Sequence, residues 1–111
     1  MTRNSTIELS IDLDGNNVPE KIHWTAADSN AKNQESKAFM LSLWDKNEQN
    51  TLRIDLWTPE MTVDEMKQFF HQTLLTMADT FEKATGEHLI CEDLKDYCYH
   101  FAQKMNLLPT E

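Results

Sequence analysis

Residues 7–13 alternate strictly, with Ile7, Leu9, Ile11 and Leu13 on one face and Glu8, Ser10 and Asp12 on the other, the period-two signature of a half-buried strand. Asp14, Gly15, Asn16 and Asn17 form a turn cluster, after which Ile22 and Trp24 resume the alternation, so the two runs read as a hairpin. Pro19 has no N–H to give to a ladder and marks an edge or a bulge near the start of the second strand. Residues 28–36, DSNAKNQES, are polar and aperiodic and are expected to form an exposed, mobile loop within the domain. Phe39, Leu41 and Leu43 then alternate, as do Leu52, Ile54 and Leu56. With 45–50 as the connecting loop, antiparallel pairing sets residue 43 against 52, 41 against 54 and 39 against 56. All three pairs are apolar, and a slip by a single residue destroys them.

The period changes after residue 61. Thr62 and Glu65 make a capping box, and Met61 with Met66 adds a hydrophobic staple. Asp64 and Glu65 put negative charge in the first turn, and Gly86 follows the last periodic residue as a left-handed cap. Between these ends Val63, Met66, Phe70, Thr73, Leu74, Met77 and Phe81 form one stripe with Phe69 on its flank, while Leu75 points the other way. A second helix is expected to start near Glu92 and Asp93, to present Leu94, Cys98, Phe101 and Met105 with Tyr97 and Ala102 beside them, and to end before Pro109. A first helix of about 22 residues runs roughly 33 Å, longer than the roughly 23 Å of a seven-residue strand. Its last turns should overhang the sheet, with the second helix covering Met77 and Phe81. The expected fold is α+β: a four-stranded antiparallel sheet of two hairpins followed by two C-terminal helices packed on one face, a two-layer sandwich. A chain of 111 residues supports a single domain over 1–111.

Ten Lys and Arg against nineteen Asp and Glu leave a formal charge of −9, which opposes nucleic acid and anionic lipid as partners. The opening MTRNSTIELSIDL lacks the basic, apolar and small-residue regions of a signal peptide. No run approaches the roughly 20 apolar residues of a membrane span, so direct membrane insertion is not expected and a cytoplasmic location is. Cys91 and Cys98, if both helical, are separated by about 10 Å of rise, too far for a disulfide. Cys98 lies on the apolar stripe and reads as a small buried hydrophobe.

His23, His71, His88 and His100 are scattered, and none forms a ligand spacing with another; the nearest is His88-x-x-Cys91. No metal or cofactor is expected. Gly15 and Gly86 are the only glycines, which removes phosphate-cradling loops and nucleophile elbows. Asp12, Asp14, Glu92 and Asp93 fall where turns and helix starts favour acids. No catalytic residue is assigned; the alternative is a small-ligand-binding or enzymatic domain with a site assembled across elements, using His71 or His23. The strand register has its own consequence on the face away from the predicted core. There Met40 meets Asp55, Ser42 meets Arg53, and Trp44 and Trp57 sit at opposite ends. The two indoles either pack under a loop or sheet edge or belong to a partner or dimer surface, where Trp, Met and Arg are enriched. Met40, Trp44, Arg53 and Trp57 are the candidate partner-binding residues.

RIDLWT at residues 53–58 and DEMKQFFHQTL at 64–74, within TLRIDLWTPEMTVDEMKQFFHQTLLTMADTFEKATG, strongly resemble the GldC gliding-motility family of the Bacteroidota. The resemblance extends through IELSIDLD, VPEKIHWTA and KAFMLSLWD, whereas LICEDLKDYCYHFAQKMNLL follows the family in pattern more than in exact residues. Cys91 takes a cap position where Thr would be usual. The resemblance implies a small soluble protein without signal peptide that supports gliding, a surface movement system coupled to type IX secretion. It implies a non-enzymatic accessory acting through protein contacts, either with that machinery or with a second copy of itself, and no catalytic residues.

Overall fold

The computed structural model describes residues 2–108. The protein is α+β and divides between Met61 and Thr62 into two compact units, one of strands and one of helices.

In the first unit, β1 (Ile7–Leu13) and β2 (Pro19–Ala26) form the expected antiparallel hairpin, with Leu9 opposite Trp24 and Ile11 opposite Ile22. Asp14 organises the turn, its Oδ1 accepting the N–H of Asn16 at 2.7 Å and of Val18 at 3.0 Å. Asn17 takes φ 62°, a left-handed conformation that asparagine tolerates better than most residues. The register shifts between Asp12 and Leu13, so Pro19 sits at a bulge, where its missing donor is harmless.

The expected single four-stranded sheet is not what forms. Part of the supposed loop at 28–36 is a strand, β3 (Gln34–Ser36), which pairs Gln34, Glu35 and Ser36 with Trp24, His23 and Ile22. A tight connection returns the chain to β2: Ala26 N–H donates to the Ala31 carbonyl at 3.1 Å, and Asn33 N–H to Thr25 Oγ1 at 2.9 Å. The described strands therefore make a three-stranded sheet, order β1-β2-β3, and a separate two-stranded ladder of β4 (Ala38–Trp44) and β5 (Thr51–Trp57). Gln-Glu-Ser carries no apolar residue, so hydrophobic alternation had nothing to report there, and only backbone pairing defines the strand. Ile22, flanked by Ile11 on one side and Ser36 on the other, is fully buried. The β4–β5 register is the expected one, with Phe39 opposite Leu56, Leu41 opposite Ile54 and Leu43 opposite Leu52. Asp45 closes the connecting loop, its Oδ2 accepting the N–H groups of Asn47 at 3.1 Å and Glu48 at 2.6 Å.

In the second unit, α1 (Val63–Thr85) is capped at both ends as expected. Glu65 N–H donates to Thr62 Oγ1 at 3.0 Å, Thr62 N–H donates to Glu65 Oε1 at 3.1 Å, and Gly86 takes φ 73° with its N–H on the Glu82 carbonyl. The second helix, α2 (His88–Lys104), starts well before Glu92 and Asp93. Its N-cap is Glu87, without a side-chain capping bond, so its entrance carries no residue signal and acids inside the helix resemble a start. Cys91 accordingly lies within the helix and not at a cap. α2 ends before Pro109, which itself lies outside the described residues.

Which face of α1 meets α2 also differs from expectation. His71 stacks on Phe101 with ring centroids 6.2 Å apart, Asp79 pairs with Lys95 at 2.9 Å, and Glu82 meets His88 at 2.8 Å. These contacts put the antiparallel seam on the line His71, Leu75, Ala78 and Glu82, so Leu75 is half-buried beside the seam and does not point away from it. The fully buried residues of the seam are Ala78, Cys91, Cys98 and Ala102, all small, which lets two helix backbones approach closely. Met77 and Phe81, expected beneath α2, remain 53% and 44% exposed.

Candidate functional site

Because side chains alternate across a strand, the ladder register puts Met40, Ser42 and Trp44 of β4 on one face with Arg53, Asp55 and Trp57 of β5. Met40 lies opposite Asp55, Ser42 opposite Arg53, Trp44 opposite Thr51 and Trp57 opposite Ala38. The two indoles, 68% and 56% exposed, thus occupy opposite ends of the ribbon, about 20 Å apart at a strand's rise per residue. Between them the surface is polar: the Arg53 guanidinium bonds Asp55 Oδ1 at 2.8 Å along the same strand. Met40 is half-buried. The four candidate residues share one face, but they do not converge to a pocket.

The opposite face of the ribbon carries Phe39, Leu41, Leu43, Leu52, Ile54 and Leu56, of which Leu43, Leu52 and Ile54 are about half exposed. Since the ladder has only two strands among the described residues, one edge of each is also unpaired there. A two-stranded ribbon open on its edges and apolar at both ends is suited to accept another surface or strand.

No histidine lies in β4 or β5. His23 lies in β2 between Ser10 and Glu35, half-buried. His71 lines an open groove of about 280 Å³ with Gln68, Gln72, Asn106 and Leu107, and its ring is held by Phe101. Among the described residues no three His, Cys, Asp or Glu side chains come together in a way that could hold a metal ion. Both cysteines are free and buried. Burial pushes the Cys91 thiol above its ordinary range, with the Glu82 carboxylate adding to the rise, and burial likewise raises Cys98. A covered, protonated thiol is a poor nucleophile.

A second surface, not among the candidates from the sequence, lies on the helices. Thr76, Met77, Thr80, Phe81 and Ala84 of α1 line a shallow apolar groove of about 430 Å³ with Leu94 of α2. Its signal in the sequence is the recurrence of Val63, Phe70 and Met77 every seven residues, a pattern that a buried core stripe shares.

No described helix is long and apolar enough to cross a membrane. No curated protein and no solved structure matches the chain. A family does: the one described as gliding motility-associated protein GldC-like matches residues 19–107, which include β2 to β5 and both helices. With most of its length matched, and with RIDLWT and the capped α1 inside the match, the chain belongs to the GldC-like family of gliding motility-associated proteins.

Proposed function

We propose that this protein is a non-enzymatic, cytoplasmic accessory of the gliding-motility machinery and its linked type IX secretion apparatus, and that it works through protein contacts made by the β4–β5 ribbon. The observation that carries this reading is the pair of exposed indoles, Trp44 and Trp57, on one face of a two-stranded ribbon. Exposed Trp flanking an Arg is the composition of interface centres, and the intervening Arg53–Asp55 pair supplies polar contacts that fix register. Two unpaired thiols suit a reducing compartment. The same face could instead join two copies of the chain.

Affinity capture from a gliding bacterium tests the proposal. The unmodified chain should retain identified components of the motility or secretion machinery, and the Trp44→Ser/Trp57→Ser variant should lose them while keeping its circular dichroism and melting temperature. A double variant that unfolds, or one that captures the same components, refutes the proposed surface. One observation favours a second reading: the groove at His71 is lined by Gln68, Gln72 and Asn106, a polar set able to orient a small ligand. A ligand that binds there raises the melting temperature of the unmodified chain and not of His71→Ala. Silence across a broad metabolite library removes that reading.

A further inference from the structure

We propose that the exposed stripe of α1 is the interface of an antiparallel homodimer, in which Val63, Met66 and Phe70 of one copy fill the groove formed by Met77, Phe81 and Ala84 of the other. The proposal concerns the helical unit alone and does not rest on the ribbon surface.

The stripe is exposed where a core stripe would be covered. Val63, Phe70, Met77 and Phe81 are 72%, 43%, 53% and 44% exposed. Val63, Phe70, Met77 and Ala84 recur every seven residues, so they stay in line along a helix and trace a seam about 32 Å long. This line is distinct from the line His71, Leu75, Ala78 and Glu82 that α2 already occupies.

The whole face is uncharged. Phe69, Thr80, Thr73, Met66, Ala84, Met77, Phe70, Val63, Phe81 and Leu74 fall within roughly 140° of the helix circumference at 100° per residue, with no Asp, Glu, Lys or Arg among them. The Thr73 hydroxyl donates to the Phe69 carbonyl at 2.7 Å, and that of Thr76, just beyond the edge of the face, to the Thr73 carbonyl at 3.0 Å, so these two threonines can present methyl groups outward without stranding a polar atom. In a chain of net charge −9, a charge-free face of this length is a place where two copies can meet without electrostatic cost.

The occupant follows from self-complementarity. A two-fold axis beside the midpoint of Thr73 and Leu74 sets Val63 against Ala84, Met66 against Phe81 and Phe70 against Met77, each twice. Large residues meet smaller or flexible ones throughout, as isologous packing requires. The groove of about 430 Å³ is lined by the receiving half of this pattern, Met77, Phe81 and Ala84, with Leu94 beside them. Ile90 and Tyr97, one turn either side of Leu94 and each more than half exposed, widen the surface over the incoming helix. Antiparallel alignment also places each helix's positive end against the other's negative end. A seam of that length, one helix wide on α1 and extended by half of α2, buries about 500 Å² per copy, and the total of about 1,000 Å² meets the lower bound for a specific interface.

Sedimentation equilibrium on the full chain tests this through its register. The unmodified chain should be a dimer, and Phe70→Lys or Met77→Glu alone should weaken it by about 100-fold or more by burying unpaired charges across the axis. The double variant Phe70→Lys/Met77→Glu sets each lysine against the other copy's glutamate and should recover at least tenfold over either single change. Circular dichroism of each variant should match the unmodified chain, since both positions are exposed in one copy. A monomeric unmodified chain, a dimer untouched by either single change, or a double variant no tighter than the singles overturns the proposal.

Discussion

The helical hairpin and the β4–β5 ribbon are both two-element hairpins, yet only the helices bury side chains completely. The helical seam uses Ala78, Cys91, Cys98 and Ala102, residues with little apolar area each, and gains by close approach and dense packing. The ribbon carries Trp44, Trp57, Leu43, Leu52 and Ile54, far larger residues, and leaves each of them about half exposed or more. Size and burial are therefore inverted between the two hairpins. What a residue could contribute by burial and what it does contribute have to be read separately.

Charging the seam should break this contrast most severely. Ala78→Asp puts an unpaired carboxylate where there is no solvent access, at a cost of about 3–5 kcal/mol. The melting temperature should fall by more than about 10 °C, with loss of helical ellipticity. A fall of a degree or two would mean that the seam opens easily and that the helices are held elsewhere. Within the strands, Ile22→Ala should cost about 2–4 kcal/mol, because Ile22 is fully buried in a central strand. Ile54→Ala, about half exposed in the ribbon, should cost about 1 kcal/mol by denaturant titration. Equal losses at the two positions would erase the distinction between sheet and ribbon.

The caps come next. Thr62→Ala removes an acceptor at the start of α1 and should cost about 1 kcal/mol. Gly86→Ala forces a Cβ into φ 73°, with no steric neighbour to add to the strain, and should cost about the same. The smallest effect should be on pH dependence. Cys91 and Cys98 are raised in the folded state, so their protonated forms favour folding below the ordinary thiol value of 9.0, and that contribution is lost as pH rises further. Stability followed in denaturant from pH 8 upward should decline, and Cys91→Ala/Cys98→Ala should decline less. Lys95, raised by the hydrogen bond it donates to the Asp79 carboxylate, loses its contribution at still higher pH, above its ordinary 10.5, and is too exposed to dominate. A double variant that declines as steeply as the parent assigns the alkaline loss elsewhere.

The parts of the fold legible in the sequence were those where two signals agreed. In α1, Thr62, Glu65 and Gly86 bounded a periodic stripe, and the helix lies between them. In β4 and β5, three apolar pairs admitted one register, and that register is observed. The missed elements lacked such agreement. β3 has only polar side chains, and the start of α2 has no cap, so neither offered a local mark. The helix seam is not legible because hydrophobic periodicity points to the large apolar residues, whereas Ala78, the residue that lets α2 approach, has too little surface to stand out in such a pattern. The candidate face was legible as a face, since alternation puts Trp44 and Trp57 together, but the Arg53–Asp55 bond between them depends on rotamers that no pattern specifies.

The covered thiols have a practical consequence. Because Cys91 and Cys98 are both shielded and held in the protonated form, the folded protein offers maleimides and similar reagents little to react with near neutral pH. A cysteine introduced at Ser42, exposed on the same face between the two indoles, would then be the one readily labelled position in a chain that keeps Trp44 and Trp57. A fluorophore or cross-linker placed there could report contacts at the ribbon without first stripping the native cysteines from the helix seam.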